Sequence, residues 1–208
     1  MEWHGHAASG AATGLAVAPL IPHPPAASLI AISGFTTTTV ISTLIPDLDA
    51  PGSKIGRSLG PITWVLGHIT HRASYLVYEA TRTQQDTINR SRLRFSNPGH
   101  RTLTHTALFA ILAGLVAGIV ASPTGWGVLI GTAVGLGCLT HVIGDMTTLW
   151  GCPIWWPIAI NGARWELLHI TPRFMRFKCG GKIGERIATT LWTGAAWGMV
   201  VWDFANFA

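Results

Sequence analysis

Histidine and aspartate are the residues whose grouping first calls for a chemical explanation. Asp47 and Asp49 stand in Leu44-Ile45-Pro46-Asp47-Leu48-Asp49-Ala50-Pro51. His100 and His105 stand in Gly99-His100-Arg101-Thr102-Leu103-Thr104-His105, and His141 and Asp145 lie four residues apart. His6 stands near the start of the chain. Mixed imidazole and carboxylate donors suit Zn²⁺, Mn²⁺ or Fe, and residue type alone does not choose among them. Such an ion would lower the pKa of a bound water to ~7 and polarise a substrate. A carboxylate not needed as a ligand, Asp49 first, is then a candidate general base. Arg101 can hold an anionic oxygen such as that of a phosphate, or can serve simply as a topology charge.

Spacing adds direction to this inventory. On a helix His141 and Asp145 share one face, which suits two ligands of one ion or a ligand and its hydrogen-bonding partner. Pro46 and Pro51 bound the aspartate turn, and an extended turn would aim both carboxylates the same way. His105 is expected about one helical turn inside an apolar segment, where an ionisable group is costly unless paired or metal-bound. Each piece alone has a plainer reading: a structural hydrogen bond, a simple turn, a cap at His100. Their shared placement at one end of several segments is what argues for a site. His68 and His71 have helical spacing, but Arg72 and nearby tyrosines make them part of an expected interfacial helix. His23 and His169 are set aside.

The elements that must position these residues are membrane segments. The chain has 208 residues, 49% of them hydrophobic and only 11% charged, against roughly 25% charged in a soluble domain. Five apolar segments stand out, at 7–21, 26–45, 103–121, 126–143 and 188–207. The first residues lack a basic stretch, so the first segment is expected to be retained. The fold class is all-α, a polytopic helical membrane protein with about four to five membrane-embedded helices in one domain, 1–208. Glycines four apart (Gly10 and Gly14, Gly114 and Gly118, Gly127 and Gly131, Gly131 and Gly135) predict close helix pairing.

All fourteen Lys and Arg residues fall in Lys54–Arg101 and Arg164–Arg186. Alternation with apolar segments marks these as topology signals and argues against a nucleic-acid partner. Both stretches are expected to be cytoplasmic, with the carboxyl terminus outside. Residues 61–98 read as a cytoplasmic or interfacial insertion. Its 62–78 part is apolar enough to lie on the bilayer, with Trp64, Tyr75 and Tyr78 at the interface, and 81–94 is a solvated helix or loop. Three cysteines without a C-x-x-C spacing indicate neither a disulfide framework nor a zinc ribbon.

These motifs resemble a known family. His6-x-x-x-Gly10, Pro46-Asp47-Leu48-Asp49 with Pro51 and Ser53, and His100-Arg101-Thr102-Leu103-Thr104-His105-Thr106 occur in that order. They are followed by His141-x-x-x-Asp145-x-x-Thr148-x-x-Gly151 and Pro153-Ile154-Trp155-Trp156-Pro157. The chain is similar over residues 1–157 to the LexA-regulated, inner-membrane-associated family of metal-dependent hydrolases. Two departures are Thr106, where serine is usual, and an insertion over 69–98. The resemblance implies an inner-membrane location and a hydrolase.

The leading expectation is a membrane-bound metal-dependent hydrolase acting at the cytoplasmic face on a phosphoester or lipid-related substrate. Asp47, Asp49, His105, His141 and Asp145 are the principal expected ligands, with His6 and His100 behind them. The alternative is a non-enzymatic metal-binding or transport protein; a third reading has the His and Asp residues merely pairing with one another. Membrane lipids are the expected surroundings.

Overall fold

Long uncharged runs bounded by proline and glycine turns favour helices, because in lipid each backbone polar group must be paired within its own segment. The computed structural model describes residues 1–22, 28–93 and 99–207. Among them there is no β-strand, and seven α-helices follow one another: α1 (Trp3–Val17), α2 (Ser28–Ser42), α3 (Pro61–Thr81), α4 (Gln84–Leu93), α5 (Ala107–Ala121), α6 (Gly127–Asp145) and α7 (Lys182–Phe207). His23 and the prolines beside it, the first residues of the second expected segment, and 94–98 of the expected insertion lie outside the described residues.

The protein is an all-α membrane protein. Three stretches are long and apolar enough to cross a bilayer: Ser28–Asp49, Ala107–Thr124 and Gly127–Asp145. On α5, Ile111, Leu112, Leu115, Val116, Ile119 and Val120 are all at least half exposed. So wide an apolar surface is stable when lipid covers it. The 15 residues of α1 reach about 22 Å, short of a hydrocarbon core of ~30 Å, and this helix lies against α2, α6 and α7. The 26 residues of α7 reach about 39 Å.

Glycine sets the helix spacing. A Cβ on Gly114 would stand 2.7 Å from the Gly131 carbonyl oxygen, and one on Gly131 would stand 2.7 Å from that of Gly114. The α5–α6 hairpin therefore closes backbone to backbone. Gly10 and Gly14 meet Val40 and Thr36 in the same antiparallel sense, so α1 and α2 pair likewise. Phe35 fills the apolar end of the bundle with Ala18, Ala31, Leu129 and Ala133. The other end is polar and equally buried.

Two elements outside the bundle frame that polar end. Ile62, Trp64, Val65, Leu66 and Ile69 of α3 are exposed, while Gly67 rests against the Leu48 carbonyl and Pro51. Tyr78, expected at an interface, is buried instead, its ring 5.6 Å from that of Trp165. The partner that turns it inward is remote in sequence. The polar stretch after α3 is the helix α4, anchored by Asp86. That carboxylate accepts from the backbone N–H of Thr83 (2.7 Å), Arg164 (3.2 Å) and Trp165 (2.8 Å), which ties the insertion to the second basic loop.

Candidate metal centre

Four parts of the fold deliver the candidate residues to one place. The first turns of α1 bring His6, and the last turns of α6 bring His141 and Asp145 on one face, as their spacing predicts. The chain after α2 brings Asp47 and Asp49. This segment is a 3-10 turn, Pro46–Asp49, rather than the expected extended turn. Residues two apart in a 3-10 turn point to different sides, so the two carboxylates part company. His105 does not lie within a helix; it ends a second 3-10 turn, Leu103–His105, just ahead of α5. Thr106 ends that turn's reach by capping α5, its hydroxyl accepting from the Phe109 N–H at 3.1 Å. Threonine serves that role as serine would.

His105 Nε2 and His141 Nε2 face each other at 3.2 Å. Asp47 Oδ1 stands 3.6 Å from His141 Nε2 and 4.0 Å from His105 Nε2. Asp145 Oδ2 stands 3.7 Å and 3.6 Å from the same two nitrogens. The opposite ring nitrogens fix the tautomers. His141 Nδ1–H donates to the Thr43 carbonyl at 2.6 Å. The Thr104 hydroxyl gives its proton to Asp49 Oδ2 (2.6 Å), so it accepts from His105 Nδ1–H at 3.0 Å. Both Nε2 atoms therefore present lone pairs to each other in company with two carboxylate oxygens. Four electron-rich atoms converge without a proton among them, and a divalent cation is the group that such a donor set fits.

Asp49 faces elsewhere. It is fully buried, and its oxygens accept from His100 Nδ1–H (2.6 Å), the Arg101 backbone N–H (3.1 Å) and the Thr104 hydroxyl, with His105 Nδ1 at 3.4 Å. It orients imidazoles from behind. His100 is itself about a third exposed. Burial would lower the His100 pKa, but the Asp49 carboxylate beside it prevails and holds it above the ordinary histidine value. Arg101 adopts φ 54°, a left-handed conformation rare outside glycine. That turn aims its backbone N–H at Asp49 and its guanidinium at Asp145 Oδ2 (2.8 Å), the Thr148 hydroxyl (3.0 Å) and Cys179 Sγ (3.0 Å). Burial opposes the guanidinium charge; Asp145 outweighs it and raises the pKa further, so the charge is permanent. His6 Nε2 lies 3.3 Å from Asp145 Oδ1, and its ring stacks on that of His141 with centroids 3.7 Å apart.

The structure thus gathers His6, Asp47, His105, His141 and Asp145 around one space, with Asp49, His100 and Arg101 bracing it. The chain matches the model of the YdjM inner membrane protein family over residues 1–207. It belongs to that family. No curated protein and no solved structure matches the chain.

For this member of the YdjM family, sequence reasoning left several bracing groups without a role. Thr104 and Thr148 sit inside the motifs, but their spacing alone does not say that one polarises His105 and the other holds Arg101. The Thr43 carbonyl and Cys179 carried no signal. His71, set aside with His68, donates Nδ1–H to the Asp49 carbonyl at 2.7 Å and so helps fix the aspartate turn. His68 is exposed, its Nδ1–H directed to the Trp64 carbonyl at 2.8 Å. His169, also set aside, hydrogen-bonds the Leu149 carbonyl at 3.2 Å.

Proposed function

We propose that the chain is a membrane-bound metal-dependent hydrolase, with its site at the cytoplasmic face and a phosphoester, lipid phosphoesters included, as substrate. The observation that carries this reading is the meeting of two imidazole lone pairs and two carboxylates in one buried space. The resemblance of the same motifs to metal-dependent hydrolases supports it. Lys54 and Arg57 follow the aspartate turn and Arg101 precedes α5, so basic residues flank this end of the spans, as they do on a cytoplasmic face.

Asp47, His105, His141 and Asp145 would hold the ion, of Zn²⁺, Mn²⁺ or Fe type. When bound, the ion supplies a Lewis acid and lowers the pKa of water beside it. The chain's own groups do the rest. Asp47 is a fifth exposed and His100 a third, so these two mark the open side. The three donors on Asp49 leave it to hold His100 and His105 in orientation rather than to meet water. His100, gripped through Nδ1 and favoured in its protonated form by Asp49, keeps its second ring N–H on the open side as the proton donor for a leaving oxygen. Arg101 fixes the Asp145 carboxylate. A transport pathway needs polar groups along a span. No Asp, Glu, Lys or Arg lies between Ser28 and Pro46, in 107–124, or in 127–144.

The test is turnover by purified full-length protein loaded with Mn²⁺ or Zn²⁺, on bis(p-nitrophenyl) phosphate and on phospholipid in mixed micelles. We expect metal-dependent hydrolysis, lost with chelator and in His141→Ala. Protein that holds metal yet cleaves none of these substrates supports the non-enzymatic metal-binding reading. Protein that holds no metal ends both.

A further inference from the structure

His6 is the residue that a single-ion centre leaves unexplained. Its ring is fully buried, and among the described residues neither ring nitrogen has a hydrogen-bond partner. Leaving two buried imidazole nitrogens unsatisfied is costly unless a ligand completes them. Nε2 lies 3.3 Å from Asp145 Oδ1 but is not aligned for a hydrogen bond with it. His6, His141 and Asp145 each offer a donor atom within 4.8 Å of the others, a grouping separate from that of Asp47, His105 and His141.

Ring geometry keeps His6 and His141 from sharing one ion. An imidazole nitrogen directs its lone pair in the plane of its ring. The His6 and His141 planes are nearly parallel, 12° apart, with centroids 3.7 Å apart. An ion in the plane of His141 stands out of the plane of His6 by about the stacking distance, where His6 has no lone pair. The His105 ring, by contrast, meets that of His141 at 74°, and the two Nε2 atoms converge. His105 and His141 can thus serve one ion, while His6 must serve another. Positions in two planes stacked at this separation stand apart by at least about the stacking distance, which is compatible with the ~3.5–4 Å spacing of two-metal hydrolytic sites. Asp145 supplies the bridge: Oδ2 faces the His105–His141 position and Oδ1 faces His6. Oδ1 already attracts a cation, since the Met1 amino group pairs with it and also lies 3.1 Å from Cys179 Sγ.

We propose that His6 and Asp145 Oδ1 hold a second divalent cation next to the ion of the hydrolase centre, a proposal that rests on the metal reading above. The pair would be bridged by the Asp145 carboxylate.

The full-length protein in detergent is titrated with Mn²⁺ alone, and metal per chain and the electron paramagnetic resonance spectrum are read together. Wild type should bind two Mn²⁺ and show the broad, temperature-dependent spectrum of a spin-coupled pair. His6→Ala and His6→Gln should bind one and show the six-line pattern of an isolated ion. His105→Ala should reduce binding as well, leaving no coupled pair. Wild type binding one uncoupled ion would overturn the second position and leave the hydrolase reading standing. Wild type binding none would overturn both. Loss of both ions in a folded His6 variant would make His6 a ligand of one shared centre and also overturn the proposal. Should the His6 variants fail to fold, the wild-type stoichiometry and spectrum decide the question alone.

Discussion

At the scale of the residue, the aspartate turn is where chemistry and backbone geometry interact most closely. Asp47 and Asp49 differ by two positions, yet one faces the paired imidazoles and the other faces His100, Thr104 and the Arg101 backbone. Their place at the polar end of the bundle was legible, because carboxylates between prolines at the end of an apolar run have few structural uses. Their divergence was not. Proline fixes φ near −65°, which an extended turn and the first position of a helical turn both accept. The choice was made by contacts from elsewhere: Gly67 of α3 beneath Leu48, and His71 on the Asp49 carbonyl. The arrangement gives separate expectations for the two. Asp47→Asn removes a donor from the cation position and should abolish tight metal binding. Asp49→Asn leaves that position intact and loosens His105 and His100, so it should weaken binding ~10–100-fold, the usual effect of a group behind a ligand. Competition against a metal-sensitive dye measures both affinities. Equal losses in the two variants would refute this division of roles.

At the scale of the element, the bundle was the most legible part, since glycines four apart announce where helices can touch. Gly114 and Gly131 do meet across the α5–α6 hairpin, each in van der Waals reach of the other's backbone. The start of α5 was less legible: Leu103 and Thr104 continue the apolar pattern, but Thr106 caps the helix and leaves His105 in the turn before it. A cap is a contest between a side chain and the helix for the same N–H groups, and hydrophobic patterning does not record its outcome. Tyr78 shows the same limit at longer range, because Trp165 decides which way it faces. The glycine contact gives a prediction that does not depend on the metal. Gly131→Ile must push α5 and α6 apart and should destabilise the protein by about 1–3 kcal/mol or more. Gly34→Ala, where an added Cβ meets none of the described residues within 4 Å, should be neutral or mildly stabilising. Melting temperatures in detergent compare the two. A Gly131→Ile protein as stable as Gly34→Ala would show that the hairpin does not depend on close approach.

At the scale of the whole molecule, the site's position is a consequence of strand-like bookkeeping among helices: α1 and α2 pair antiparallel, α5 and α6 pair antiparallel, and α2 runs alongside α6 in the same sense, with Gly137 against Thr39 and Ser42. The start of α1, the ends of α2 and α6 and the start of α5 therefore all fall at one end. α7 runs in the same direction as α1, since the Glu2 N–H donates to Glu185 near the start of α7 and Gly5 lies near Thr189. The far end of α7 is thus carried away from the site. With basic residues at the site's end, the site should face the cytoplasm and the end of α7 the opposite side. Ser58 and Ala205 are both exposed and report on the two ends. In a background with Cys179→Ser, which leaves only the buried Cys138 and Cys152, Ser58→Cys should react with a membrane-impermeant maleimide only after the cells are opened. Ala205→Cys should react in intact cells whose outer envelope has been made permeable to the reagent. Labelling of position 58 from outside would invert the protein and turn the candidate metal centre away from the cytoplasm. Labelling of both positions only from inside would show that α7 does not cross, and the bundle would then rest on the three long apolar spans with α1 and α7 packed against them from one side.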